Sequence, residues 1–246
     1  MPASYSLLKM KKEALSFRSD NGLDAKTPIN TKNLLVNLKV LTIFRPIQSD
    51  FSGMAIKSDN LKFMLINSNH SIGRQNYSIL HELYHLIIQK DFSPMICYAE
   101  SSNKKNPSDH DAELFASLVL LPEEGILDKI PKEELSKNKI TLATIFEIEQ
   151  FFMCSRLALL NRLQNMGLID DNKRDEYKDN ISLNAKLYGY DTSLYQKGNE
   201  NIVIGDYAKL SKILFDKEVI SESHFIDLMH DIFIDIEPGK TPLKND

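Results

Sequence analysis

Residues 76–89 read Asn76-Tyr77-Ser78-Ile79-Leu80-His81-Glu82-Leu83-Tyr84-His85-Leu86-Ile87-Ile88-Gln89. The apolar positions recur at helical spacing, so the periodicity predicts a helix through this stretch. His81 and His85 are four apart and on a helix stand one above the other, able to present a ring nitrogen each to one metal ion. Zinc suits such a pair. Glu82 projects about one residue's rotation away, beside the position such an ion leaves open. There it can take a proton from water and pass it to a leaving amine.

Working outward, a basic amphipathic helix is expected at 7–17 and a second helix at 31–38, after the turn-like Thr27-Pro28-Ile29-Asn30. Three strand-like runs come next: 40–44, which stops at Pro46; the short Gly53-Met54-Ala55-Ile56-Lys57; and 61–66, which enters Asn67-Ser68-Asn69. Residues 92–106 read as a polar loop. A further helix starts near Ser108 or Asp109, either of which can cap it, and stops before Pro122. The chain is then helical over 142–167, broken at Met153-Cys154-Ser155, with late helices at 207–214 and 221–233. The fold class expected is α+β: a small three-stranded sheet packed on the His81–His85 helix and on a second, ligand-bearing helix, followed by a mostly helical C-terminal region. The divisions expected are a catalytic domain over 1–135, a helix-turn-helix-like subdomain over 136–170 and a C-terminal extension over 171–246.

A third ligand should be a histidine or a carboxylate brought in by a second helix. Four residues compete: Glu100, His110, Asp111 and Glu113. On a helix starting near Asp109, Glu113 shares its face with the small Ala116 and Ser117, which would let this helix approach the His81 helix, whereas Asp111 points about 200° away. Glu100 lies in the polar loop, and His110 is better placed as a supporting partner. Glu113 is therefore the expected ligand, set against its ordinary role as a solvated glutamate in a helix's first turns.

With 42% apolar and 26% charged residues over 246 positions, the composition is that of a globular protein. No apolar run approaches the ~20 residues of a membrane span, and the N-terminal stretch lacks the apolar core and cleavage site of a secretory signal. A cytoplasmic location is expected. Cys97 and Cys154 stand far apart and outside any Cys-x-x-Cys pattern, so both read as small apolar residues. The net charge of −4 argues against a general nucleic-acid footprint. The 141–169 segment carries only Arg156 and Arg162 as arginines, against Glu147 and Glu149, which suits a scaffold better than a phosphate-contacting module. His224 and His230, six apart, fall on different helix faces and read as structural.

The block from Gly73-Arg74-Gln75-Asn76-Tyr77 through His81-Glu82-Leu83-Tyr84-His85, then Asp111-Ala112-Glu113-Leu114-Phe115-Ala116 to Leu120-Leu121-Pro122, resembles the ImmA/IrrE family of metallopeptidases. The Gly53 run and the strand ending at Asn67 are similar to that family's approach to the active helix, so the resemblance covers roughly 31–165. It implies a thermolysin-like zinc site, with Glu113 as third ligand, and a protein substrate that is a helix-turn-helix repressor, cut to relieve repression. One departure is Tyr84, where the family has a small residue; its ring must pack on the sheet or on another helix, altering the local spacing. His70, Arg74 and Tyr98 are candidates for stabilising the oxyanion of the reaction. The competing readings are a non-hydrolytic antirepressor or toxin–antitoxin partner that keeps zinc for structure, and a DNA-binding regulator using 141–169.

Overall fold

The computed structural model describes residues 3–90, 95–98 and 107–236. The chain opens with α1 (Ala3–Asp20), whose Met10, Ala14 and Phe17 are buried at helical spacing, and α2 (Thr31–Asn37), capped by the Asn30 side chain. Three strands follow: β1 (Leu41–Arg45), β2 (Phe51–Lys57) and β3 (Lys62–Asn67). Next come α3 (Ile72–Leu83), which continues into a π-helical turn over Tyr84–Ile88, then β4 (Met95–Tyr98), α4 (Pro107–Leu120) and α5 (Glu123–Lys129). The remainder is helical apart from one short strand: α6 (Leu142–Phe152), α7 (Arg156–Asn165), α8 (Asp171–Tyr177), α9 (Ile181–Leu187), β5 (Val203–Ile204), α10 (Tyr207–Asp216) and α11 (Glu222–Asp231).

The α+β class holds, and the sheet is larger than the three strands expected. Its order is β4-β2-β3-β1-β5, with β1 and β3 parallel and the other neighbours antiparallel. The two additions are edge strands. β4 comes from the stretch expected to be a loop, and the two-residue β5 is too short to carry an alternating pattern that sequence could reveal. The π-turn begins at Tyr84, whose ring centroid lies 5.6 Å from that of Phe115 on α4, so this bulky side chain is housed against the neighbouring helix. The amide of Gln89 reaches back five residues to the Tyr84 carbonyl at 2.9 Å.

One apolar core runs from Met10 on α1 through the sheet, α3 and α4 to Leu163, Tyr177 and Ile204. A second, smaller cluster joins α10 and α11 around Phe215, Phe225, Met229 and Ile232. α4 is held from the other side by α1: Phe17 meets Phe115 edge-on at 5.2 Å, and the buried Arg18 donates to the Val119 carbonyl. The first turn of α3 rests on the turn between α6 and α7. A Cβ at Gly73 would sit 2.7 Å from the Cys154 carbonyl carbon, and Asn76 Nδ2 donates to the Met153 carbonyl at 2.8 Å. Only glycine permits that approach.

The loop before β5 fastens the other side of this helix start. Gln75 Nε2 donates to the carbonyls of His70 and Gly198 at 2.8 and 2.9 Å, while Asn199 Nδ2 donates to Gln75 Oε1 at 2.9 Å. Among the described residues no helix is long and apolar enough to cross a membrane.

Candidate metal centre

α3 and its π-helical continuation carry the two histidines, His81 and His85. Through Ile79, Leu80 and Leu83, all buried, α3 is seated in the core, which fixes the rotation of its polar face. His81 Nε2 and His85 Nε2 face each other at 3.2 Å. That is the edge of a tetrahedron built on metal–nitrogen bonds of about 2.0–2.1 Å.

Below His85, Gln89 Oε1 lies 2.6 Å from Nδ1. An Nδ1–H donated to that oxygen leaves Nε2 with its lone pair toward the shared point, which is the tautomer a metal requires. Burial pushes the His85 imidazole below its ordinary pKa, against the raising influence of Gln89 and Asp109, and favours the neutral ring.

A third group completes the cluster. The ligand atoms of His81, His85 and Asp109 all lie within 4.8 Å of one another, and Asp109 Oδ1 is 3.8 Å from His85 Nε2. Two imidazoles and a carboxylate suit a zinc-like divalent ion and leave a coordination position open.

Asp109 was expected only as a helix cap. Glu113, the expected ligand, is not a member of that cluster and sits one turn further along α4, on the wall of a neighbouring cavity with His110. The reason is the antiparallel packing of the helices. Tyr77, one turn before His81, donates its hydroxyl to the Glu113 carbonyl at 2.9 Å, while Tyr84 and His85 meet Asp111 and Asp109. The ligand level of α3 therefore faces the first turn of α4, a pairing that a face-by-face reading of α4 alone does not reveal.

Asp111 is directed elsewhere, accepting from Ser6 Oγ at 2.6 Å and bridging α4 to α1. Glu100 lies outside the described residues. Of Cys97 and Tyr98 only the backbone strand is described. His70 precedes α3, whose first residue is about 13 Å along the helix axis from His81, and burial with the nearby Arg74 charge lowers its pKa to about 4. Arg74 lines the cavity beside Tyr77.

Glu82 is fully buried, directed toward β2. A Cβ at Gly53 would stand 2.8 Å from Glu82 Oε1, and the β2–β4 register shifts between Phe51 and Gly53, an irregularity next to the place where the strand meets the carboxylate. The sequence points to the Gly53 run as lying near the active helix but not to the contact of Gly53 with Glu82, nor to Gln89 beside His85. The i, i+4 spacing of His85 and Gln89 was the available signal for the latter.

Outside this group, Cys154 is buried and its thiol pushed well up by burial, as befits a small core residue. His224 and His230 are exposed on α11. Arg156 and Arg162, the cations a helix-turn-helix reading needs, point inward. Arg156 is paired with the buried Glu149 and donates to the Tyr177 carbonyl, and Arg162 Nε donates to the Leu121 carbonyl at 3.1 Å. Neither is presented to a phosphate.

Residues 37–164, just over half of the chain, match the family model described as the IrrE N-terminal-like domain, a peptidase family. No curated protein matches the chain. The matched span runs from the end of α2 to the end of α7 and so contains strands β1 to β4, the α3 and α4 helices and the His81–His85–Asp109 cluster, while the edge strand β5 lies beyond it. The chain belongs to the IrrE-like family of metallopeptidases.

Proposed function

We propose that this protein is a zinc-dependent endopeptidase in which His81, His85 and Asp109 hold the ion and Glu82 is the general base. The observation that carries the reading is the convergence of two imidazole nitrogens 3.2 Å apart with a carboxylate from α4, next to a buried glutamate on the same helix as the histidines. Zinc bound there would supply a Lewis acid that polarises the scissile carbonyl and acidifies water. The chain's own residues do the rest. Glu82 accepts the proton of the attacking water and delivers it to the departing amine. Gly53 leaves the room that the carboxylate occupies, and Gln89 holds His85 in its metal-binding tautomer.

The substrate is a protein, and the resemblance to ImmA/IrrE peptidases favours a helix-turn-helix repressor, cleaved in the cytoplasm to release its genes. The inward-facing Arg156 and Arg162 support action on a protein partner rather than on DNA. The test is Glu82→Gln, which keeps the shape but cannot take a proton. It should retain about one zinc per chain and lose cleavage of a repressor encoded beside this gene, together with derepression in cells. A variant that still relieves repression would instead make the protein a binding antirepressor with a structural metal.

A further inference from the structure

Beside the metal cluster the described residues surround a cavity of about 660 Å³, walled by α3, α4 and α7, a size within the range of ligand sites. Its relation to the metal follows from helix geometry. On α3, Arg74, Tyr77, His81 and His85 recur at spacings of three and four and form one stripe; on α4, Asp109, Glu113 and Ser117 recur at four and form another. Each stripe has its metal-binding residues at one end and cavity-lining residues at the other. The helices are antiparallel, so the two stripes run side by side, bridged by the Tyr77–Glu113 hydrogen bond, with the cavity toward one end and the His81–His85–Asp109 cluster toward the other. From His81 back to Arg74 is about 10 Å, and from Asp109 to Ser117 about 12 Å. An extended chain advancing ~3.3 Å per residue covers that length in about three residues.

We infer that this cavity is a specificity pocket, receiving the substrate side chain two or three residues from the scissile bond and selecting a bulky one. This rests on the peptidase reading and adds the substrate feature that the site recognises. The walls decide the chemistry. Ser117 and Ala158 contribute little volume, which leaves the space open, while Leu157 gives apolar surface and Arg74 and Glu113 give polar edges. A large side chain with an apolar stem fills such a site; glycine, alanine or serine leaves it empty and forgoes the burial of apolar area.

The experiment is cleavage-site profiling of the zinc-loaded protein on a mixed library of synthetic 14-residue peptides, read by mass spectrometry, for wild type, Ser117→Phe and Ala158→Leu. These two variants narrow the cavity from opposite walls without touching His81, His85, Asp109 or Glu82, so one remains informative should the other not fold. Wild type should prefer a large residue at the second or third position by at least tenfold, and the filled variants should reverse that preference toward small residues with zinc content unchanged. An unchanged preference in the folded variants overturns the pocket assignment and leaves the peptidase reading intact. Absence of any cleavage by zinc-loaded wild type overturns the peptidase reading, and the pocket with it.

Discussion

Gly53 on β2 stands directly against the side chain of Glu82: a Cβ there would lie 2.8 Å from Oε1, 3.1 Å from Cγ and 3.2 Å from Cδ. The atoms it would strike are the far end of a flexible side chain, so Gly53→Ala is accommodated by swinging the carboxylate aside rather than by breaking the sheet. An off-rotamer side chain costs about 0.5–1.5 kcal/mol, a modest loss of stability. A displaced base costs more in rate, since general-base catalysis contributes roughly 10²–10⁴-fold. Gly53→Ala should therefore keep its zinc and its cooperative thermal transition while kcat on a cleaved peptide falls by about 10²-fold or more. A variant with wild-type kcat would show that the contact does not position Glu82.

Gln89 offers a separate handle on the metal. Its side-chain oxygen is 2.6 Å from His85 Nδ1, and no substrate contact is needed to explain its presence. Gln89→Leu removes the acceptor that fixes the imidazole tautomer while keeping a similar volume. Loss of such an outer partner typically weakens metal affinity about 10–100-fold. Competition with a chromophoric chelator should show that weakening, with little change in unfolding temperature of the metal-free protein. Equal affinity for the two proteins would remove Gln89 from the metal's support.

The fold and site were legible in the sequence to different depths, for physical reasons. His81, Glu82 and His85 stand out because the roles proposed for them depend on helical spacing alone, which one segment of sequence carries. The strands from 41 to 67 and the break at Met153 were equally local, written in β-branched runs and in a turn closed by a residue at positive φ. The places of Asp109 and Gly53 beside the histidines and Glu82 were not, because they arise only across element boundaries: one needs the antiparallel docking of α4 on α3, the other the approach of β2 to Glu82. β5 was hidden too, since its two residues gain their strand identity from pairing with Thr42 and Ile43. The sewing of Gln75 to Gly198 and Asn199 joins residues more than 120 positions apart, beyond any periodicity.

Arg156 and Glu149 decide how the helix-turn-helix-like pair is used. Both side chains are buried, with exposures of 2% and 0%, and Tyr195 Oη donates to Glu149 Oε2 at 2.8 Å, which ties the 193–195 turn to the same pair. Burial holds the Glu149 carboxyl above its ordinary pKa, a rise that the hydrogen bonds and ion pair with Arg156 and the Tyr195 hydroxyl offset only in part. Removing one partner strands the other charge, at a cost of about 3–5 kcal/mol. For a chain of this size each kcal/mol lowers the unfolding temperature by about 2–4 °C. Arg156→Met should thus unfold some 6–20 °C below wild type, whereas the double variant Arg156→Met, Glu149→Leu should recover much of the loss. Calorimetry on the three proteins checks this. A single variant as stable as wild type would return Arg156 to the surface, where the DNA-binding reading needs it.

The remaining question is which carboxylate of α4 binds the metal, and the two candidates are one turn apart on the same face. Asp109 Oδ1 stands 3.8 Å from His85 Nε2, within the spread expected when an ion draws three donors to a common centre, and its ligand atom lies within 4.8 Å of the corresponding atoms of both histidines. Glu113 lies on the cavity wall, at the level of Tyr77 rather than of the histidines, and its own carbonyl accepts the Tyr77 hydroxyl, which pins that level of α4 a turn away from the metal. A glutamate's extra methylene extends its reach by only about one bond, against an axial offset of about 6 Å for four residues of helix. Asp109→Asn keeps the size and one acceptor oxygen but replaces the other with a donor and removes the anion a divalent ion favours, so zinc content after dialysis should fall well below one per chain and peptide cleavage should be lost. Glu113→Gln should bind zinc as wild type does and change only how substrates are selected. The reverse result, metal lost with Glu113→Gln and kept with Asp109→Asn, would move the third ligand to Glu113 and require α4 to slide by a turn along α3 when zinc binds.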